Sequence, residues 1–162
     1  MSQPRRSVPD MDRTPFGYTL LTRIRDGIND SRTLHPDDRV TTGVIAGFID
    51  NGWVIAYPIT NPASRLVTHY VNPTLTLRGT RLLQRVEDHP LTHPDLELDV
   101  LAATHIRHTP TDVANATTLP LNTVLTTITK LITLGHIHTD SQPLTADTKI
   151  RLSATGWLLI PR

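Results

Sequence analysis

The sequence predicts a mainly α-helical fold with small β-hairpins (α+β), arranged as two tandem copies of one small domain. The first observation behind this prediction is a repeated motif, L-[ST]-x-x-G-x-x-L-[LI], found at Leu75–Leu83 and again at Leu152–Ile160. The second is that an apolar-periodic segment precedes each copy and closes on a glycine, Gly52 or Gly135. These glycines lie 27 and 21 residues before the glycine of the motif. A pattern that recurs in so short a chain indicates an internal duplication.

The composition excludes several classes of protein. The 162 residues include no cysteine, which excludes disulfides, thiol catalysis and cysteine-ligated zinc. No apolar run approaches the roughly 18 residues of a membrane span, and the N-terminus lacks a basic segment followed by an apolar one. These features predict a cytoplasmic protein with no membrane association. A length of 162 residues is enough for one domain or two small ones.

Charge is distributed unevenly along the chain. Residues 1–86 contain eleven arginines against seven acidic residues, a net charge of +4, whereas residues 87–162 contain five basic and eight acidic residues, a net charge of −3. The first half therefore suits a polyanionic partner. The acidic second half suits a protein partner, either a second copy of the chain in a homodimer or another protein.

The predicted first domain covers residues 16–86 and follows a flexible, proline-rich N-terminal arm, residues 1–15. Its first helix is expected from Phe16 to about Ile28. A second helix is expected to open at His35–Asp38, where proline and acids suit the first turn, and to close at Gly52. The apolar residues expected to face the core from these two helices are Tyr18, Leu21, Ile24, Ile28, Ile45, Phe48 and Ile49.

A hairpin and a third helix are expected to complete the first domain. Val54–Tyr57 and Val67–Val71 have the β-branched and aromatic content of strands, and Thr60–Ser64 between them has the residues of a turn. Thr76 is then expected to cap a helix that ends near Val86.

The predicted second domain covers residues 92–162 and follows a polar linker, residues 87–91. Helix starts are expected at Thr92–Asp95 and Thr109–Asp112, since each places a proline and an acid in the first turn. The residues expected to be buried on these two helices are Leu98, Leu101, Ala102, Ile106, Val113, Ala114 and Leu119.

A long third helix is expected to open at Pro120. Its inward residues should be Leu121, Val124, Leu125, Ile128, Leu131 and Ile132. Strands are expected at His136–His138 and Lys149–Leu152, with a turn near Asp140–Asp147, and Ser153 is expected to cap a final helix.

A helix, a short helix, a tight turn, a third helix and a hairpin follow one another in the order of a winged helix-turn-helix. Residues 92–160 resemble the winged-helix regulators of the MarR and PadR type. The matching positions are Asp112-Val113-Ala114, Leu119-Pro120, Thr123-Val124, Ile128, Leu131, Gly135 and Ile137. Residues 16–86 match less of the pattern. They match chiefly in the segment that follows the hairpin, which is called the wing in this fold. The resemblance implies two tandem winged-helix domains that bind double-stranded DNA.

The third helix of the second domain supplies the first group of predicted DNA contacts. Asparagine and threonine can contact base edges or thymine methyls, and a lysine can reach a phosphate. The alternative is that this threonine-rich face is only exposed to solvent and does not contact DNA. The residues predicted on the exposed face are Asn122, Thr123, Thr126, Thr127, Thr129, Lys130 and Thr133, of which all but Thr129 and Thr133 are predicted site residues.

The first domain and the arm supply the second group of predicted DNA contacts. Arg5 and Arg6 lie on the arm, where they could enter a minor groove, and Arg65 lies at the predicted tip of the wing. Arg39 and Thr42 lie at the start of the helix of the first domain that corresponds to the DNA-contacting third helix of the second domain. The acidic residues Asp37 and Asp38 precede them. The alternative is that these arginines only solubilise the surface.

The sequence offers no catalytic, cofactor or metal site. The pairs His105-x-x-His108 and His136-x-His138 have ligand spacing, but no acid or cysteine nearby completes either. A nucleophile motif and a phosphate-binding glycine loop are both absent. We therefore expect no enzymatic activity and no cofactor.

The function that these observations predict is sequence-specific binding of double-stranded DNA by a transcriptional regulator. The alternative is a tandem winged-helix adaptor between proteins, similar to the kleisin partners of chromosome-condensing complexes. In that case Trp157 and Ile160 are expected near a surface that binds the partner. A plasmid or phage replication or partition factor lies between the two hypotheses.

Overall fold

The computed structural model describes residues 15–33 and 38–161, and these residues divide into two compact units. The N-terminal unit is Gly17–Pro90. The C-terminal unit is Leu91–Pro161 together with Pro15 and Phe16, and Pro15 forms an isolated antiparallel bridge with Pro161. The division falls between Pro90 and Leu91. In the described part of the chain, no helix is long and apolar enough to cross a membrane.

In the N-terminal unit, helices precede and follow a two-stranded hairpin along the chain. Its elements are helix α1 (Phe16–Arg25, whose first residue belongs to the other unit), a 3-10 turn (Ser31–Thr33), helix α2 (Asp38–Asp50), strands β1 (Val54–Thr60) and β2 (Val67–Leu75), and helix α3 (Leu77–Asp88). The strands are antiparallel and pair Val54 with Leu75 and Thr60 with Val67 across two register shifts. The mixed α+β class with small hairpins is therefore correct for this unit.

The C-terminal unit has a similar order of elements, with an α-helix where the N-terminal unit has the 3-10 turn and with a shorter hairpin. Its elements are helices α4 (Pro94–Ile106), α5 (Pro110–Thr117) and α6 (Leu121–Thr133), strands β3 (Ile137–Thr139) and β4 (Ile150–Leu152), and helix α7 (Ala154–Leu159). The strands are antiparallel and pair Ile137 with Leu152. In each unit, helical segments precede a two-stranded hairpin and a capped helix follows it.

The motif after each hairpin forms the same hydrogen bonds in both units. Thr76 Oγ1 accepts from the Gly79 backbone N–H at 3.1 Å and donates to the Gly52 carbonyl at 2.6 Å. Ser153 Oγ accepts from the Gly156 N–H at 3.2 Å and donates to the Gly135 carbonyl at 2.6 Å. Each hydroxyl thus caps one helix and joins it to the end of an earlier one.

The glycines of this network are required by geometry. Gly52 and Gly135 have φ of +73° and +82° just past the ends of α2 and α6, the left-handed exit that the sequence predicts. At Gly79 and Gly156 a Cβ atom would collide with the backbone carbonyls of Trp53 and His136, respectively. The motif after each hairpin therefore needs a glycine, because there the last helix packs closely against the residue that precedes the first strand of the hairpin.

The core of the N-terminal unit largely follows the predicted stripe. Leu21, Ile45 and Phe48 are fully buried, and the Phe48 and Trp53 rings pack with centroids 5.9 Å apart. The first helix ends three residues earlier than predicted, at Arg25, so Ile28 lies in the following turn and is only half-buried. α3 extends through Asp88, so the first two residues of the predicted linker are helical.

The core of the C-terminal unit differs from the prediction at the ends of its helices. Val124, Ile128 and Leu131 are fully buried, as predicted. Ile106 is 69% exposed and Leu121 is 36% exposed because each occupies a terminal position of its helix. Ile160 is buried, which contradicts its predicted place near a surface.

Candidate nucleic-acid interface

Helix α6, the predicted recognition helix, is held in place by a short helix and a tight turn. Thr109 Oγ1 accepts from the Asp112 N–H at 3.2 Å and caps α5, whose first residue is Pro110. Thr118 then adopts the left-handed conformation, with φ of 59°, and ends α5. Pro120 precedes α6, so the two helices are joined by a short turn, as the sequence predicts.

The exposed face of α6 carries an asparagine and several threonines. Asn122, Thr126, Thr129 and Thr133 are all exposed. The Thr126, Thr129 and Thr133 hydroxyls donate to carbonyls four residues earlier, at 2.8–3.1 Å. Since these protons are used, the threonines can offer a base only a methyl group and oxygen lone pairs.

Asn122 is the group on this face that is free to recognise a base with both a donor and an acceptor. Its side chain is exposed and forms no hydrogen bond with any other described residue. An asparagine amide can bind an adenine edge bidentately in the major groove. The asparagine thus offers a base the hydrogen-bond donor that the neighbouring threonines lack.

Thr127 was predicted on the exposed face but is buried, with 5% of its surface exposed. Thr127 lies three residues after Val124 and four before Leu131, so it belongs to the same inward side of the helix. Its hydroxyl donates to the carbonyl of Thr123, itself half-buried, at 2.8 Å. Both threonines line an open cleft of about 430 Å³, which Asn122 and Thr126 of the exposed face also line. The predicted exposure of Thr127 is therefore wrong.

Lys130 was predicted to contact phosphate but is engaged within its own unit. Its Nζ lies 2.9 Å from Oε1 of Glu97 on α4, and Glu97 has a side chain only 1% exposed. Nζ also contacts the Thr92 hydroxyl and lies 3.2 Å from His93 Nδ1. Its charge is therefore paired with Glu97 within the unit, and the predicted phosphate contact stays a prediction.

The ion pair also affects the pKa of Glu97. Burial alone would raise this pKa. Hydrogen bonds from Lys130, from the His93 backbone N–H and from the Thr92 hydroxyl outweigh burial and hold the pKa below its ordinary value. Glu97 is therefore an ionised carboxylate in the interior, and Lys130 is its counter-ion.

Arg65 lies at the tip of the first hairpin, as predicted. The loop is organised by Asn61, whose Oδ1 accepts from the Ala63 and Ser64 backbone N–H groups at 2.9 and 3.4 Å. Arg65 adopts a left-handed backbone, with φ of 58°, and is exposed. Its guanidinium has no ion pair or hydrogen bond with any residue in 15–33 or 38–161. This charge is available to an external anion.

The other predicted DNA contacts of the first half differ in their exposure and in their hydrogen bonds. Arg39 is exposed in the first turn of α2. Thr42 is half-buried, and its hydroxyl donates to the Thr68 carbonyl of β2 at 3.1 Å, so it joins the helix to the hairpin. Arg5 and Arg6 lie outside the described residues.

The histidine pairs do not come together as metal sites. His105 and His108 are exposed, whereas His136 is fully buried with its Nδ1 2.8 Å from Thr155 Oγ1. His138, the other member of this pair, is exposed. Within residues 15–33 and 38–161, no group of three metal-binding side chains is present.

Two features of the N-terminal unit were not predicted as sites. Arg78, Arg81 and Arg85 are all exposed along α3, and their spacing could have been read from the sequence. Ile55 and Tyr57 are also exposed on β1, by 61% and 66%. Successive side chains of a strand point to opposite faces, but the sequence does not indicate whether other residues cover either face. The exposure of Ile55 and Tyr57 could therefore not be predicted.

Comparisons with models of known protein families, with curated proteins and with solved structures find no match for this chain.

Proposed function

We propose that this chain is a sequence-specific double-stranded DNA-binding protein, a transcriptional regulator built from two tandem winged-helix domains. The observation that carries the proposal is the repeated element order, in which helical segments lead to a two-stranded hairpin and a capped helix in both units. A helix after a short helix and a tight turn is the element that such domains place in the major groove, and the hairpin contacts the backbone or the minor groove.

In this proposal the C-terminal unit recognises sequence through α6. Asn122 presents an unengaged amide at the start of the helix, and the methyl groups of Thr126 and Thr129 can contact thymine. Contacts of this kind discriminate between bases but provide little non-specific affinity.

The N-terminal unit supplies the electrostatic contacts in the proposal. Arg65 has an uncompensated charge at the tip of a hairpin that extends over seven- and nine-residue strands. The engagement of Lys130 with Glu97 removes the lysine of α6 from the phosphate contacts, which makes binding more dependent on the first half of the chain. We therefore expect the isolated 87–162 fragment to bind DNA poorly.

An electrophoretic mobility shift with the full chain tests the proposal. The probes are duplexes from the gene's own genomic neighbourhood, at 50 and 200 mM KCl with competitor DNA. We expect at least one fragment to shift selectively. Arg65→Ala should reduce the magnitude of the log K against log salt slope by about 0.9, the value for one phosphate contact. Arg32→Ala is the matched control, because Arg32 is already paired with Asp30 at 2.6 Å.

Exposed apolar side chains on the first hairpin favour a second candidate, the protein-interaction adaptor. Ile55, Tyr57 and Leu66 are 61%, 66% and 69% exposed, and such groups are typical of interface centres. Failure of the full chain to bind any duplex at 50 mM KCl would move this candidate to first place. Tyr57→Asp should then abolish the association with a partner or a second copy.

A further inference from the structure

Helix α3 carries three arginines on one face. Arg78, Arg81 and Arg85 follow one another at spacings of three and four residues, which places them on the same side of an α-helix. From the first to the last, the stripe extends about 10.5 Å at 1.5 Å per residue. We call these three residues the α3 stripe.

The α3 stripe is exposed and its charges are uncompensated. All three side chains are exposed, and none has an ion pair or hydrogen bond with another residue that the structure describes. The two acids of α3 lie in its last turn and are engaged elsewhere: Glu87 pairs with Arg25 at 2.7 Å, and Asp88 accepts from Gln84 at 2.9 Å. The stripe is thus a concentrated positive surface on the N-terminal unit.

The duplicated helix in the C-terminal unit shows that the motif does not require arginine at the first two positions of the stripe. Aligned on the shared L-[ST]-x-x-G motif, Arg78 corresponds to Thr155 and Arg81 to Leu158, whereas Arg85 corresponds to Arg162. Thr155 and Leu158 are both buried in α7. The same element therefore has a buried face in one unit and an exposed, arginine-rich face in the other, so the stripe serves something other than packing.

We propose that the α3 stripe binds the phosphodiester backbone of double-stranded DNA, as a contact surface separate from the wing and from α6. This inference rests on the proposed function and extends it. A length of about 10.5 Å along the axis of B-DNA corresponds to roughly three phosphates of one strand, at about 3.4 Å each. Guanidinium groups suit this partner because they bind phosphate oxygens bidentately.

The surroundings of the stripe favour nucleic acid over an acidic protein. Protein interfaces place apolar side chains at their centre. Between Arg78 and Arg85, however, the exposed residues are Thr80, Arg81 and Gln84, and all are polar. The exposed apolar residue of α3, Leu77, is at the first position of the helix, at one end of the stripe and not at its centre. The stripe is a linear set of charges, which matches a linear polyanion.

The test is the salt dependence of full-chain binding to a fluorescent 30-base-pair duplex, measured by anisotropy from 50 to 300 mM KCl. Arg78→Gln/Arg85→Gln should reduce the slope of log K against log salt by about 1.8, which corresponds to a loss of about 60-fold in affinity at 0.1 M KCl. The control is Arg25→Gln/Arg32→Gln, which changes net charge equally in the same unit but removes arginines already paired with Glu87 and Asp30. The control should retain the wild-type slope, and thermal melting confirms that both variants fold.

Different outcomes separate this inference from the proposed function. If the wild type binds the duplex and both double variants match it, the stripe inference is wrong while DNA binding stands. If both variants lose slope equally, net charge rather than the stripe is responsible, and the inference is also wrong. If the wild type binds no duplex, both proposals fail. Stripe-dependent binding to poly-glutamate that exceeds binding to DNA would overturn nucleic acid as the occupant.

Discussion

Replacing Lys130 by methionine tests the conclusion that this residue is the counter-ion of Glu97 inside the C-terminal unit. The substitution keeps the length of the side chain and removes its charge. Glu97, 1% exposed, would keep its hydrogen bonds from Thr92 and from the His93 N–H but lose its charged partner. An internal carboxylate would then be left only partly compensated.

The size of the effect follows from burial. Breaking a fully buried ion pair by removing one partner costs about 3–5 kcal/mol. Because the Lys130 side chain is 36% exposed and water screens the pair, we expect a cost of about 2 kcal/mol, which is below that range. For a chain of this length, this lowers the melting temperature by about 4–8 °C.

The pH dependence has a defined sign. Because folding lowers the Glu97 pKa, the pair stabilises the folded state above the ordinary carboxyl value of 4.5 and loses this effect as pH falls through the lower, folded pKa. The stability gap between wild type and Lys130→Met should therefore be full at pH 7 and should narrow below about pH 4.5.

Thermal unfolding monitored by circular dichroism measures this prediction. Lys149→Met is the matched control, because Lys149 is the other lysine of the chain and is exposed on the same unit. Glu97→Gln/Lys130→Met should recover much of the loss, since it also removes the internal charge. Equal melting temperatures for Lys130→Met and Lys149→Met, or a gap that does not change with pH, would refute the reasoning.

Three further predictions concern packing and use the same melting measurement. Gly79→Ala and Gly156→Ala should each destabilise the chain by at least about 1–3 kcal/mol, because the added methyl group meets a backbone carbonyl. Gly43→Ala, in the middle of α2 with open space around it, should instead stabilise by about 0.5–1 kcal/mol, and a loss there would contradict the assigned environment. Ile128→Ala should cost about 2–5 kcal/mol because its side chain is fully buried, while Leu121→Ala, at an exposed helix start, should cost far less; equal losses would place α6 differently.

The parts of the fold that the sequence predicts well are those set by local interactions. The cap at Thr76, its counterpart at Ser153 and the glycine exits at Gly52 and Gly135 each involve backbone groups within a few residues of the motif. Their chemistry is therefore readable from short patterns. Helix ends were predicted less well. Periodicity gives the phase of an apolar stripe but not the distance to which the core extends, as the exposed Ile106 shows.

The candidate site was predicted less completely because its chemistry depends on contacts between distant residues. Arg65 is at a hairpin tip because the turn is locally encoded around Asn61. Lys130, by contrast, meets Glu97, 33 residues earlier in the chain, and no spacing rule indicates which side of α6 packs against α4. The burial of Thr127 has the same origin. Sequence thus identified the helix but overestimated how many of its polar residues are available.

Selection of binding sites from a random double-stranded DNA library, performed in parallel with the wild-type chain and Asn122→Ala, tests the central claim most directly. We expect the wild type to enrich a defined sequence. Asn122→Ala should keep most of that sequence but lose the preference at one or two adjacent positions, with discrimination there falling by about 1–3 kcal/mol. Absence of any enriched sequence for the wild type, or identical preferences for the two proteins, would contradict base recognition by α6.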